Sequence, residues 1–150
     1  MTQPLSLYSP SDYVRRPSPV APGDFLQDRR RRRGRVAGRT GRAAEEQTLR
    51  RYQRSGWRLL ARNWHAERMY GNGEIDLILR RGQTYVFVEV KARRTLTEAA
   101  NAVTPAQQRR LELAALRWLE LEGLPDADMR FDLAAVDRWG EMEVFENFTF

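Results

Sequence analysis

The stretch Gly73-Glu-Ile-Asp-Leu-Ile-Leu-Arg-Arg-Gly-Gln-Thr-Tyr-Val-Phe-Val-Glu-Val-Lys91 decides the fold. In its second half, Thr84 to Lys91, successive side chains alternate between two faces: Val86, Val88 and Val90 on one, Tyr85, Phe87, Glu89 and Lys91 on the other. Both faces are apolar at the start, which marks an interior strand of a sheet. Charge enters only at the end and only on one face. Buried charge is costly without a partner, so Glu89 and Lys91 call for one. Glu74 to Arg80 reads as a second strand, joined to the first through Arg81-Gly82-Gln83. If Gly82 and Gln83 form a two-residue loop with glycine first, Arg81 faces Thr84, and counting outward sets Asp76 opposite Glu89 and Glu74 opposite Lys91. Opposed carboxylates repel across a ladder. A divalent cation reverses that sign, because Mg²⁺ or Mn²⁺ takes oxygen ligands. Lys91 beside them can hold a water or stabilise charge developing on a phosphate. The other reading is a plain salt-bridge network of Glu74, Asp76, Glu89 and Lys91 at a sheet edge. Three acids to one base on so short a patch favour the cation.

Lys91 is the only lysine among 26 basic residues. A chain that uses arginine everywhere else retains a compact ammonium, with a proton that can move, at this one position. Either the site cannot be filled by arginine, or the lone lysine is an accident of composition.

Upstream, Thr40 and Gly41 precede a run to about Arg54 that reads as a helix ended by Ser55-Gly56. Ala44, Glu45, Leu49 and Tyr52 share one face, and Glu46, on another, can pair with Arg50. Glu45 in an apolar stripe needs a partner, for which a metal or an active-site water is a candidate. Trp57 to Trp64 reads as a strand, with Trp57, Leu59 and Ala61 alternating against Arg58, Leu60 and Arg62. Downstream, Arg93 to Val103 reads as a loop. Thr104-Pro-Ala-Gln107 is a helix start with a threonine cap, proline at the first position and glutamine closing a capping box. That helix runs to about Glu122 with Leu111, Ala114, Ala115, Trp118 and Leu119 inward. Met129 to Val136 and Glu141 to Val144 complete the set as strands. The order α-β-β-β-α-β-β predicts an α/β fold, a mixed β-sheet flanked by helices.

Residues 1–39 differ from the rest. They hold five of the seven prolines and the run Arg29 to Arg33, and show no helical or strand period, so a disordered Arg/Pro-rich arm is expected there, with a folded domain over 40–150. Nine arginines against three aspartates give the arm the whole formal charge of +6 and leave the domain neutral. Such a block either stays solvated or attracts phosphates without regard to sequence. The chain has no cysteine and one histidine, which excludes thiolate and His-rich metal sites. No apolar stretch is long enough to span a membrane and no secretory leader is visible, so a cytoplasmic protein without a membrane partner is expected. The tryptophans at 57, 64, 118 and 139 read as core and edge packing, and His65 as a surface residue before a loop.

Gly73-Glu-Ile-Asp-Leu77 followed by Phe87-Val-Glu-Val-Lys-Ala-Arg93 resembles the split Asp…Glu-x-Lys motif of restriction-endonuclease-like nucleases. More closely it resembles the uncharacterised bacterial YraN-like family, itself similar to archaeal Holliday-junction resolvases. The resemblance covers about 40–150 and includes Gly41, Glu45, Gly56, Asn63, Val103-Thr104, Arg130-Phe-Asp132 and Asn147. It implies a restriction-endonuclease-like fold with Asp76 and Glu89 as metal ligands, joined by the Val90 carbonyl and by Glu45 from the helix. It implies Lys91 as the residue that positions or activates water. Arg93 and Arg130 are implied as nucleic-acid phosphate contacts, pairing with Asp132 being the other reading of Arg130. Two positions depart from the family pattern: glutamine at 107, where many relatives carry lysine, and no glycine in the loop before Val103.

The expected function is a Mg²⁺- or Mn²⁺-dependent endonuclease that hydrolyses DNA phosphodiester bonds, at branched or damaged structures. The alternatives are a non-catalytic nucleic-acid-binding module of the same fold and a scaffold whose acidic patch meets a protein. Oligomeric state, a dimer included, is left open.

Overall fold

The computed structural model describes residues 41–148, so the arm at 1–39 lies outside the described residues. The chain is helical over 41–54 (α1). There follow β1 (Arg58–His65), a single 3₁₀ turn at Arg68–Tyr70, β2 (Glu74–Arg81), β3 (Thr84–Ala92), α2 (Leu96–Ala100), α3 (Pro105–Leu121), β4 (Asp128–Val136) and β5 (Met142–Phe145). The strands form one sheet in the order β1-β2-β3-β4-β5. Only β3 and β4 run parallel, and α2 and α3 supply the crossover that a parallel pair needs. This is a mixed five-stranded sheet flanked by helices, compatible with the restriction-endonuclease-like fold.

The hairpin register is the expected one. Arg81 pairs with Thr84, Arg80 with Tyr85, and so on to Leu77 with Val88. Gly82 stands at φ 61 and Gln83 does not, the II′ pattern that puts glycine at the first central position. The interior strand buries both faces. Tyr85 and Phe87 join Ile75, Ile78, Ala114, Ala115, Trp118 and Leu119 in a core under α3. Val86 and Val88 join Leu49, Tyr52, Trp57, Leu77, Leu79 and Ala134 in a core under α1. The capping box at Thr104 and Gln107 forms with both reciprocal hydrogen bonds, which accounts for Gln107 fully.

The segment Arg93 to Val103, expected as a loop, contains α2, capped by the Thr95 hydroxyl, which accepts from the Glu98 amide. Five residues are too few to show a helical period in sequence. In β1 the expected alternation breaks: a bulge lies between Leu59 and Ala61, so Leu59 packs toward α1 while Leu60 and Ala61 pack toward α3.

Gly73 closes the fold where β2 meets α3. A Cβ there would stand 2.4 Å from the Arg110 carbonyl oxygen, which is backbone and cannot swing aside. Gly73→Ala is expected to push α3 off β2 and cost about 1–3 kcal/mol, read as a lower denaturant midpoint at unchanged slope.

Candidate functional site

β2 and β3 stop pairing where the charges begin. The ladder ends at Leu77–Val88. One residue further, the Val90 amide donates to Asp76 Oδ2 at 2.7 Å, so a side chain replaces the backbone acceptor. The neighbouring strand is irregular at the same level. Asn63 lies between the pairs Arg62–Leu77 and Trp64–Ile75, and it sits at φ 46, a left-handed conformation that asparagine tolerates better than most residues. Across this step the alternation slips: Leu77 packs toward α1, whereas Ile75 and Ile78 both pack toward α3. Asp76 is thereby placed at the point where the sheet changes aim.

Glu89 follows on β3. Lys91 Nζ donates to Glu89 Oε1 at 2.6 Å, with the two side chains 15% and 16% exposed. Burial, then the Glu89 charge, push the Asp76 carboxyl up to about 8, against a smaller opposing effect of the Val90 amide and Lys91. Burial also raises Glu89, with Lys91 opposing. The two carboxyls thus oppose each other's ionisation, and Glu89 has the Lys91 ammonium as its ion-pair partner. Glu45 borders the pair from α1. Burial raises its carboxyl, a hydrogen bond to Asn63 opposes this, and the charges of Glu74 and Glu89 reach it. Asp76 and Glu89 are the residues that could hold a cation. Among the described residues no three His, Cys, Asp or Glu groups stand gathered for a metal, so Glu45 lies within electrostatic reach without joining a three-carboxylate cage.

Other expected members are placed differently. Glu74 does not face Lys91; its partner is His65 on β1, at 3.5 Å, and the two are opposite in the β1–β2 register. His65, the last residue of β1 before the connection to β2, is partly exposed and borders the acidic patch. Arg93 is exposed two residues past Lys91, with Nη1 on the Ala92 carbonyl. Arg130 is committed to structure: it pairs with Asp132 at 2.9 Å, reaches Glu146 at 3.5 Å and lies over the Trp57 ring. Asp132 is buried and also accepts from Tyr52 Oη at 2.6 Å and the Asn147 amide at 3.0 Å. Of the two readings of Arg130, the pairing with Asp132 is the one observed. Glu46 has Arg62 as its main partner, with Arg50 at 4.0 Å.

Gln108 was missed in the sequence. It is 8% exposed, its Nε2 donates to Glu112, and its Oε1 has no hydrogen-bond partner. It lines a small cavity shared with Ile75, Phe87, Glu89 and Leu111. The signal available was a glutamine one turn before the inward-facing Leu111 and two before Ala115, which Gln107, the capping residue beside it, overshadowed.

Residues 44–136 match the uncharacterised protein family UPF0102. The chain belongs to UPF0102. The UPF0102 protein of Ruegeria pomeroyi is 44% identical over 110 residues, 71% of this chain and 85% of its own. That of Dinoroseobacter shibae is 40% identical over 121 residues, 80% and 87% of the two chains. That of Mesorhizobium japonicum is 51% identical over 85 residues, 56% and 65%. The UPF0102 match runs from the α1 stripe to the end of β4 and takes in Glu45, Asp76, Glu89, Lys91, Arg93 and Arg130. It bears out the YraN-like resemblance at the level of family. Among the described residues, no helix is long and apolar enough to cross a membrane.

Proposed function

We propose that this UPF0102 protein is a divalent-metal-dependent endonuclease of the cytoplasm, hydrolysing DNA phosphodiester bonds at branched or damaged structures. The observation that carries the reading is the buried Asp76–Glu89 carboxyl pair at the end of two interior strands, with the chain's single lysine against it. Two ionised carboxylates and one ammonium leave one negative charge in excess in this largely buried site, which raises both carboxyls and which a cation would offset. This donor set, all oxygen and without cysteine, fits Mg²⁺ or Mn²⁺ rather than a softer ion.

Asp76 and Glu89 would hold the cation, and the Val90 amide orients Asp76. When bound, the cation supplies Lewis acidity toward the phosphate and the attacking water. Lys91 positions that water or donates to the phosphate oxygens as their charge builds. Glu45 adds a third carboxyl within electrostatic reach, and Arg93, exposed beyond Lys91, is the phosphate contact.

The test incubates the full chain with supercoiled plasmid and with a synthetic four-way junction, in Mg²⁺, Mn²⁺ or EDTA. Nicking or resolution in either metal and none in EDTA is the expected outcome. Junction binding without cleavage in any metal would leave the non-catalytic binding module. No heat of Mn²⁺ binding at millimolar concentration, with or without DNA, would leave the protein scaffold.

A further inference from the structure

Trp139 is not a packing residue. It is 75% exposed, at the tip of the connection between β4 and β5. The turn that carries it is held in shape. Asp137 Oδ1 accepts from the Trp139 amide at 2.8 Å and from the Glu141 amide at 3.0 Å, and Gly140 stands at φ 83. Two side chains of α1 pin the turn from the other side: Gln47 Nε2 donates to the Gly140 carbonyl at 2.6 Å and Arg51 Nη1 to the Met142 carbonyl at 3.3 Å. An indole left in water on a fastened turn is a surface suited to a flat partner.

Its surroundings carry positive charge. The Arg138 guanidinium lies 4.7 Å from the centre of the Trp139 ring. On the α1 side, Gly140 borders a polar groove of about 370 Å³ that Arg50, Arg51 and Arg54 line together with Glu141. On the other side the turn is tied to the strand that ends the candidate site: the Arg138 amide donates to the Arg94 carbonyl and the Arg93 amide to the Val136 carbonyl. Arg138 thus lies against the indole and Arg50, Arg51 and Arg54 line the groove, while the backbone of Arg93 and Arg94 ties the turn to the chain just past Lys91. Of the carboxylates here, Asp137 accepts from two backbone amides, Glu141 lines the groove, and Glu46 stands 4.0 Å from Arg50.

An exposed aromatic ring interleaved with cations is the arrangement that receives a single nucleic-acid strand, whose bases stack while its phosphates follow the arginines. Base pairs of an intact duplex hide their faces, so the ring selects an unpaired or unstacked base. We infer that the β4–β5 turn and the adjoining α1 groove form a single-strand docking surface, with Trp139 stacking a base and Arg50 and Arg54 contacting phosphates. The inference rests on nucleic acid being the substrate of the neighbouring site, and it adds that the substrate presents unpaired nucleotides.

The experiment measures binding in EDTA, where no cleavage is required, so the nuclease reading and this surface fail separately. Full-length protein is titrated with a twelve-residue oligothymidylate, following intrinsic fluorescence and the anisotropy of a labelled copy. Trp57 and Trp118 are buried and Trp64 is half-buried, so a stacked base quenches chiefly Trp139. Trp139→Ala is expected to remove the quench and weaken binding about tenfold, and Trp139→Phe to recover most of the affinity without the signal. Arg50→Ala and Arg54→Ala are each expected to lower the salt dependence by about one unit of slope or less. Equal affinity of wild type and Trp139→Ala would overturn the inference. So would a blunt duplex of the same length that quenches as strongly as the single strand. A dimer in sedimentation that Trp139→Ala dissociates would also overturn it, because the ring would then belong to a second copy.

Discussion

Glu89→Ala is expected to abolish metal-dependent nicking, with a fall of about 10²–10³-fold or more, while the protein stays folded. Glu89 is the carboxylate on which both Asp76 and Lys91 converge, so its loss removes half of the proposed cation's ligands at once. The fold should survive. Asp76 loses the charge that repels it, and Lys91 Nζ, on a side chain 15% exposed, can turn toward water. Lys91→Ala is expected to fall by a comparable factor, and the losses in the double variant should not add, because the two side chains act as a unit. Lys91→Arg gives the sharper test. A guanidinium keeps the charge but meets a carboxylate with two parallel donors, which would cap Glu89 and compete with any cation for it. Arginine is thus expected to be as damaging as alanine at this position, in a chain that uses arginine for every other basic residue. Plasmid nicking in Mn²⁺, with circular dichroism and thermal melts as controls for folding, reads all four. Equal cleavage by wild type and variants would trace the activity to a contaminant and remove the proposed function.

Much of this site was legible because its determinants are local. The Asp76–Glu89 relation follows from a two-residue turn and a period of two, both written in consecutive residues, and the observed register keeps that count as far as Leu77–Val88. The start of α3 is equally local, since proline, threonine and glutamine within four positions complete one motif. What could not be read depends on departures from periodicity. Beyond Leu77 the ladder ends because the Asp76 side chain takes the Val90 amide, so Glu74 turns to His65 instead of facing Lys91. The left-handed Asn63 and the bulge after Leu59 each shift a strand by one step, and a sequence pattern carries no mark for such a step until a neighbouring strand is placed beside it. Arg130 has the opposite history. Its two readings were a phosphate contact and a pair with Asp132, and the packed sheet, which buries Asp132 and brings Tyr52 to it from eighty residues upstream, shows the pair. Trp139 was misjudged on a general tendency of tryptophan to be buried, which a short fixed turn overrides.

Proton and metal are expected to compete at Asp76. Burial and the Glu89 charge raise this carboxyl to about 8, so at neutral pH the metal-free pair keeps a proton that a cation must release. Apparent Mn²⁺ affinity should therefore rise with pH, by up to about tenfold per unit below 8, and level off above it. The stability of the metal-free protein should run the other way. A carboxyl whose folded value lies above its unfolded value binds more protons when folded, so its contribution is present at low pH and is lost as pH rises from about 4 through 8. Asp76→Asn separates the two effects. The amide oxygen can still accept from the Val90 amide, the amide nitrogen can donate toward Glu89, and no charge develops at high pH. At pH 8 without metal this variant is expected to be more stable than wild type, on the order of 2 kcal/mol, and to bind Mn²⁺ weakly and without pH dependence. Calorimetric titration with Mn²⁺ in buffers of different ionisation enthalpy counts the released proton directly, and denaturant melts at pH 5 and 8 give the stabilities. If Asp76→Asn is destabilised at pH 8, or if wild type takes up Mn²⁺ without releasing a proton, the carboxyl pair is a structural ion pair with Lys91 and not a cation site held ready.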